Sequence, residues 1–333
     1  MVGNKWATLA ASGSSGKRIG VCHNTAATAI VWIWRSIFPF CLQPGAGDMD
    51  KTMTGDSGDK TRATPQLYYD RFMFDEVIDE YYGHCDFHNF GLWSQGVDSP
   101  AAACRELVSK LVSLSPRTPR RLLEVGCGKG ATTRELRSHW PSAEIVAIDV
   151  SEKQLYTCRQ NCPTATFQLM DACAMDFRDC SFDLVISVEA AFHFQSRRKF
   201  FADARRVLKP GGGLLLQDVL HHKHDDPSQH SEAPSDVILD PGKIIPSENY
   251  LAGPDNYKGQ LMEAGFDVIK IIDVTEEGPR RFYEDFIKHL SNRERWQGFN
   301  SDHVRSLRIG ARLFARRIHF CLLVYAVALP QAR

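Results

Sequence analysis

"RLLEVGCGKGATTREL", residues 121–136, carries three glycines at alternate positions between an apolar run and a helix-forming one. "RLLEV" is short, apolar and bounded by the glycine cluster, which reads as a buried strand. "ATTRELRSHW" sets Leu136 and Trp140 four residues apart, the spacing of one helical face. Strand, glycine turn and helix in that order open a parallel α/β sheet. In such a sheet ligands bind at the carboxyl ends of the strands, beside the first one. A turn shaped for a dinucleotide reads GxGxxG and seats a pyrophosphate on the helix amino end. Here the glycines are Gly126, Gly128 and Gly130, a GxGxG spacing, and Glu124 stands two residues ahead. A carboxylate beside the turn repels a pyrophosphate and attracts a ligand that carries an ammonium or sulfonium group.

The pattern continues on both sides. "AEIVAID" predicts a second strand ending at Asp149, "ATFQLMD" a third ending at Asp171, and "FDLVISVE" a fourth. "RRKFFADARRVL" predicts an amphipathic helix with Phe200, Phe201, Ala204, Val207 and Leu208 inward, stopped by "KPGG". "GLLLQDV" is a fifth strand, "YKGQLMEAGF" a helix, "DVIKIIDV" a sixth strand and "FCLLVYAVAL" the closing one. Ahead of the turn, "SPAAACRELVSKLVSL" is a helix capped by Ser99, with Pro100 in its first turn. "YYDRFMFDEVIDEYY" also predicts a helix.

The strand ends select a ligand. A carboxylate at Asp149 takes both hydroxyls of a ribose, each such charge-assisted bond contributing roughly 1.5–3 kcal/mol. Asp171 is placed to accept from an adenine amino group, with the Ala172 N–H turned to a ring nitrogen. Ribose, adenine and a cation without a phosphate describe S-adenosylmethionine. Taken singly, Glu124 and Asp171 also read as solvated acids at strand ends.

"LLEVGCGKG", "IDVS", "MDA", "FDLVISVEAAFH" and "RVLKPGG" stand in the order and at about the spacing of the class I S-adenosylmethionine-dependent methyltransferases, which the chain resembles over about residues 64 to 329. The resemblance implies a Rossmann-like seven-stranded sheet, mostly parallel with its last strand antiparallel. It also implies helices on both faces and an N-terminal helical lid. Within that fold Gly126 and Gly128 line the methionine end and Glu124 contacts it directly or through water. Asp149 holds the ribose and Asp171 the adenine, while Cys127, Val150, Ala172, Val188 and Glu189 complete the cofactor pocket. Tyr69 resembles a tyrosine that covers the methionine end. Asn89-Phe90-Gly91-Leu92-Trp93 resembles a segment that closes over the cofactor, with Leu92 where similar enzymes have tyrosine.

Methyl transfer is a displacement at carbon, so the enzyme chiefly positions its reactants, and a hydroxyl acceptor must also lose a proton. "SVEAAFHF" sets Glu189 and His193 four apart, on one face if a helix begins there. This E-x-x-x-H is similar to that of natural-product sugar and mycobacterial lipid O-methyltransferases and of sterol and tocopherol C-methyltransferases. The likeness to the sugar enzymes implies His193 as base and Asp218 as its partner. The alternative is a histidine satisfied on a helix amino end. The expected reaction is O-methylation of a small, lipophilic or natural-product acceptor. A C- or N-methyltransferase of a sterol, quinone or amine, and an inactive cofactor-binding partner subunit, are the alternatives. "HHKHDD", residues 221–226, reads as a solvated loop, so no metal is expected.

Lys plus Arg equals Asp plus Glu, 40 each, which argues against a nucleic-acid acceptor. No N/D-P-P-Y motif follows "FDLVIS" either. The ten cysteines form no C-x-x-C pair and read as reduced and mostly buried. Residues 1–47 hold no acid, and their apolar stretch is broken by Arg35 and Pro39, so no stable membrane span is expected. That leader reads as an organelle transit peptide, a signal peptide, a disordered tail or a misplaced start. The expected compartment is the cytoplasm, or an organelle if the leader is a transit peptide. The domain division is 1–62 leader and linker, 63–118 N-terminal helices and lid, and 119–333 core with a polar insertion at about 221–250.

Overall fold

The computed structural model describes residues 70, 72–221 and 245–330. The leader, the linker, Tyr69 and the His-rich run after His221 lie outside the described residues. Within them the chain builds a seven-stranded sheet in the order β3-β2-β1-β4-β5-β7-β6. The strands are β1 (Arg121–Val125), β2 (Glu144–Asp149), β3 (Thr166–Leu169), β4 (Phe182–Val188), β5 (Leu208–His221), β6 (Phe266–Asp273) and β7 (Ile318–Ala328). β7 runs antiparallel to both β5 and β6, and the other pairings are parallel. Strand order reverses beside β1, between β2 and β4, which opens a crevice at their carboxyl ends.

Period-two alternation divides the strands between two cores. Leu122, Ile145, Leu184, Ile186 and Leu215 face helices α2 (Pro100–Val112) and α3 (Ala131–His139). Leu123, Val146, Val185, Leu214 and Leu216 face α5 (Arg197–Val207) and α6 (Pro254–Glu263). α5 buries Phe200, Phe201, Ala204 and Val207 completely, each large side chain contributing roughly 1.5–3 kcal/mol. α2 begins as its sequence predicts, with Ser99 Oγ accepting from Ala102 N at 3.4 Å. Between β2 and β3 runs α4 (Glu152–Asn161), capped by Ser151.

Two boundaries differ from the sequence expectation. The helix foreseen over 68–82 is interrupted: Asp70, Phe72 and Met73 are helical, and a separate α1 (Glu76–Tyr81) begins where Asp75 caps it by accepting from Val77 N and Ile78 N at 3.0 and 3.2 Å. "KPGG" does end α5, but β5 starts at once at Leu208, pairs with Phe182, and slips register before Gly213 pairs with Leu184. After β6 come α7 (Arg281–His289) and α8 (Ser301–Ala315), which pack toward α1. His303 meets Asp75 at 2.8 Å, His289 meets Glu80 at 3.0 Å, and Tyr81 donates to Asp285 at 3.1 Å.

One buried polar network ties the second core together. Arg197 and Asp218 are 1% and 0% exposed. Arg197 Nε and the Tyr257 hydroxyl donate to the same Asp218 oxygen at 2.8 and 2.9 Å. Arg197 also donates to the backbone carbonyls of Asn249 and Val219. Asn249 accepts from Arg197 N at 2.9 Å, and its amide donates to the carbonyls of Phe194 and Phe192 at 2.7 and 3.2 Å. Removing one partner of such a pair strands a buried charge. Asp218→Ala should therefore destabilise the fold by roughly 3–5 kcal/mol, read by chemical denaturation, whereas an unchanged midpoint would show that Arg197 finds another counter-charge.

Candidate active site

The glycine turn after β1 adopts left-handed backbone at Gly126 and Gly130, with φ of 77° and 84°. A Cβ on Gly126 would stand 2.6 Å from that of Ala190, and one on Gly130 would stand 3.1 Å from Cys158 Cα and Sγ. Only glycine lets the turn lie this close to β4 and α4. Gly126 N and Cys127 N donate to the Ile148 carbonyl, and Gly128 N donates to Asp149 Oδ2 at 3.0 Å. Ser151 N donates to the other oxygen, Asp149 Oδ1, at 3.0 Å. Burial pushes the Asp149 carboxyl up to about 6 despite these backbone bonds, and Asp70 nearby adds to the rise.

A cavity of about 510 Å³ opens above the turn at the carboxyl ends of β1 to β4. Of the residues expected there, Gly126, Cys127, Gly128, Asp149, Val150, Asp171, Ala172, Val188, Glu189 and His193 all line it. The group implied by the sequence fits this lining: a fixed carboxylate for a diol, an apolar slot at Val150, Met170 and Ala172 for a flat base, and no anion clamp. The one lysine of the turn, Lys129, is buried and already paired with Asp86 at 3.0 Å and Asp79 at 3.6 Å. Asp171 is exposed at the far end, its Oδ1 accepting from Cys173 N at 2.8 Å.

Three expectations are corrected. Glu124 does not line the cavity: it points the other way off β1, 2% exposed, and accepts from Thr133 Oγ1 of α3 at 2.6 Å. Burial raises its carboxyl to about 8, so it is largely a neutral acid that braces the helix against the strand. Asp218 is not the partner of His193, because both its oxygens serve Arg197, Tyr257 and Val219 N within the second core. Glu189 and His193 do not share an α-helical face. Glu189 sits at a positive φ of 52°, and residues Ala191–His193 make a single 3₁₀ turn. A non-glycine residue in that region stores strain, which concentrates at functional sites.

The aromatic segment also arranges itself differently. Phe87, His88 and Asn89 line the cavity, while the Phe90 ring packs on Phe282 and Tyr283 in the core. The segment is fastened to the site by one bond, Phe90 N donating to a Glu189 carboxyl oxygen at 2.9 Å. Burial pushes the Glu189 carboxyl well up, although the bond from Phe90 N works the other way.

Sequence reasoning missed the contacts that cross the chain. Asp70 accepts from Ser151 Oγ at 2.5 Å and from Gln154 Nε2 at 3.3 Å. Phe72 and Met73 then lie over the turn as cavity walls. Ser151 had a local signal, since a serine three residues before a glutamine at a helix start is a capping pattern. Asp70 had none, being a lone acid in an aromatic run. No group of three or more His, Cys, Asp or Glu able to hold a metal occurs among the described residues. No helix among them is long and apolar enough to cross a membrane.

Comparison with known proteins agrees with this geometry. Residues 123–216 match the family model of a methyltransferase domain. The O-methyltransferase cnsE of Penicillium expansum is 31% identical over 171 residues, covering 50% of this chain and 58% of that protein. The 27-O-demethylrifamycin SV methyltransferase of Amycolatopsis mediterranei is 29% identical over 227 residues, covering 65% and 79%. Among solved structures, the [4+2]-cyclase SpnF shares the fold with a TM-score of 0.64 at 19% identity, covering 81% of this chain and 98% of that one. The domain match opens at the glycine turn and a sheet of this strand order surrounds it, so residues 123–216 carry a methyltransferase domain and the chain is similar to the class I S-adenosylmethionine-dependent methyltransferases.

Proposed function

We propose that the protein methylates a hydroxyl of a small, lipophilic or natural-product acceptor, with His193 as general base. Several relatives named as O-methyltransferases support the class of acceptor, among them those of Penicillium expansum and Amycolatopsis mediterranei. The observation that carries the reading is the common cavity, lined by Asp149 and Asp171 from the β2 and β3 side of the sheet and by His193 from the β4 side.

The residues divide the work by position. Asp149, aimed by Gly128 N and Ser151 N, takes the ribose hydroxyls. Val150, Met170 and Ala172 embrace the adenine, and Asp171 accepts from its amino group. Gly126, Cys127 and Gly128 present backbone to the methionine end. When bound, the cofactor supplies an activated methyl group on a sulfonium. His193, on the turn after β4, takes the hydroxyl proton as the acceptor oxygen attacks. Asp218 serves this step at a distance: through Arg197 and Asn249 it holds the carbonyls of Phe192 and Phe194, the residues flanking His193. Phe72 and Met73 keep water from the reacting centre. In the domain division we propose, residues 63–118 supply this cover and the core begins near residue 119.

Asp149→Ala should weaken S-adenosylmethionine binding by about tenfold or more, since a two-point ribose contact is lost. Calorimetry reads this directly, and an unchanged affinity would remove Asp149 from the site.

The pH dependence follows from the same carboxyl. Ribose hydroxyls donate to the ionised form, and in the empty cavity Asp149 gains its proton below about pH 6. Affinity should be full above that pH and fall by up to about tenfold per unit below it. Asp149→Asn should flatten that limb. A limb that persists in the variant would assign it to a group other than Asp149.

His193→Ala should lower turnover by ~10²–10⁴-fold with cofactor affinity nearly unchanged, the usual contribution of a positioned base. Turnover is measured with labelled cofactor and the acceptor found by incubating the enzyme with a metabolite extract. Near-normal turnover would end the base assignment and favour an acceptor already neutral when bound, such as an amine.

A further inference from the structure

Beneath the glycine turn lies a pair of side chains that methyl transfer leaves unused. Cys127 and Cys158 hold their Sγ atoms 3.8 Å apart. Both are buried in a small apolar cluster with Ala147, Leu155, Cys162 and Phe167. Cys127 is 5% exposed and also lines the cavity, which gives a small peroxide a short path toward it when the cavity is empty. Cys158 Sγ donates to the Gly128 carbonyl at 3.0 Å and fills the space beside Gly130 where a Cβ would stand. The turn therefore rests on α4 through one sulfur atom. Two thiols without further donors do not make a four-ligand metal site, in keeping with the lack of any such cluster among the described residues.

We propose that Cys127 and Cys158 form a vicinal dithiol that a peroxide closes reversibly to a disulfide, and that closure disables the cofactor turn while bound cofactor protects it. The proposal rests on the cofactor reading of this cavity. In the first step the Cys127 sulfur attacks a peroxide oxygen. An S–O bond forms, the O–O bond breaks, and one water leaves. The Cys158 sulfur then attacks the Cys127 sulfenic acid. The S–S bond forms, the S–O bond breaks, and a second water leaves. The two thiols give up two protons and two electrons, and the peroxide is reduced to two waters. Burial, aided by Cys158 and by the Asp149 and Glu124 carboxyls, pushes the Cys127 thiol up, so thiolate is scarce and the reaction is slow. The neighbouring thiol diverts the sulfenic acid to a disulfide before further oxidation.

Closure moves the turn. A disulfide spans about 2.05 Å, so the sulfurs must approach by about 1.8 Å from their present separation of 3.8 Å. The Gly128 carbonyl loses the Cys158 thiol that it now accepts from. Its amide is the donor that aims Asp149, so the ribose carboxylate loosens with it.

The test uses the full chain, reduced, then treated with hydrogen peroxide with and without S-adenosylhomocysteine. Non-reducing peptide mass mapping locates the link, and calorimetry reads S-adenosylhomocysteine affinity before oxidation, after it, and after dithiothreitol. We expect a Cys127–Cys158 link, an affinity loss of about tenfold or more, and recovery on reduction. Ligand at a hundredfold excess over its Kd should slow linking about a hundredfold, because only the empty cavity admits peroxide. Cys158→Ala should form no such link and show the same affinity before and after the treatment, whatever its starting value. Recovery of the wild-type protein with dithiothreitol decides the matter even if that variant folds poorly. Absence of the link, or a link that leaves affinity unchanged, overturns the proposal. Reduced protein that binds no S-adenosylhomocysteine overturns the cofactor reading instead, and with it the protection, while the mapped link still reports on the dithiol.

Discussion

The site depends on one carboxylate held from two sides. Asp149 ends β2, accepts from Gly128 N of the glycine turn and from Ser151 N at the start of α4, and so joins three elements at one point. Backbone donors fix it without help from other side chains. That arrangement leaves the carboxylate stiff, half satisfied, and open to a diol. It also explains the glycines, since a side chain at Gly126 or Gly130 would press on Ala190 or Cys158 and lift the turn off its seat. Preorganised groups of this kind bind without having to reorganise on ligand arrival.

The β4 side of the cavity is organised by a different constraint. His193 stands on a single 3₁₀ turn, an element too short to hold a side chain by its own hydrogen bonds. Its stiffness comes from beneath, where Asn249 grips the carbonyls on either side and Arg197 and Asp218 hold Asn249 in the core. The strained backbone of Glu189 and its bond to Phe90 N fix the entry to the same corner. One side of the cavity is thus set by backbone amides of the sheet edge, the other by a buried ion pair several residues away.

Much of this was legible in the sequence. The strands announce themselves by apolar runs, the turn by its glycines, and the ligand class by acids at successive strand ends. What failed was direction. Glu124 follows Leu122 by two, so it shares that residue's face toward α3 and Thr133. Asp218 lies in step with Leu214, Leu216 and Leu220, all of which face α5, where Arg197 waits. Period-two counting applied to the acids, and not only to the leucines, would have placed both correctly. Asp70 on Ser151 could not have been read that way, because contacts across some eighty residues leave no local pattern. The aromatic segment misled for a similar reason: a ring that covers a ligand and one that packs on Phe282 look alike in sequence.

The most direct test of the account is a crystal structure of the complex with S-adenosylhomocysteine. The account predicts ribose hydroxyls on Asp149, adenine between Val150 and Ala172 with its amino group toward Asp171, and the homocysteine end over Gly126 and Gly128 with His193 facing the sulfur across the cavity. A ligand seated with its ribose away from Asp149, or reversed so that adenine lies over the glycine turn, would contradict it.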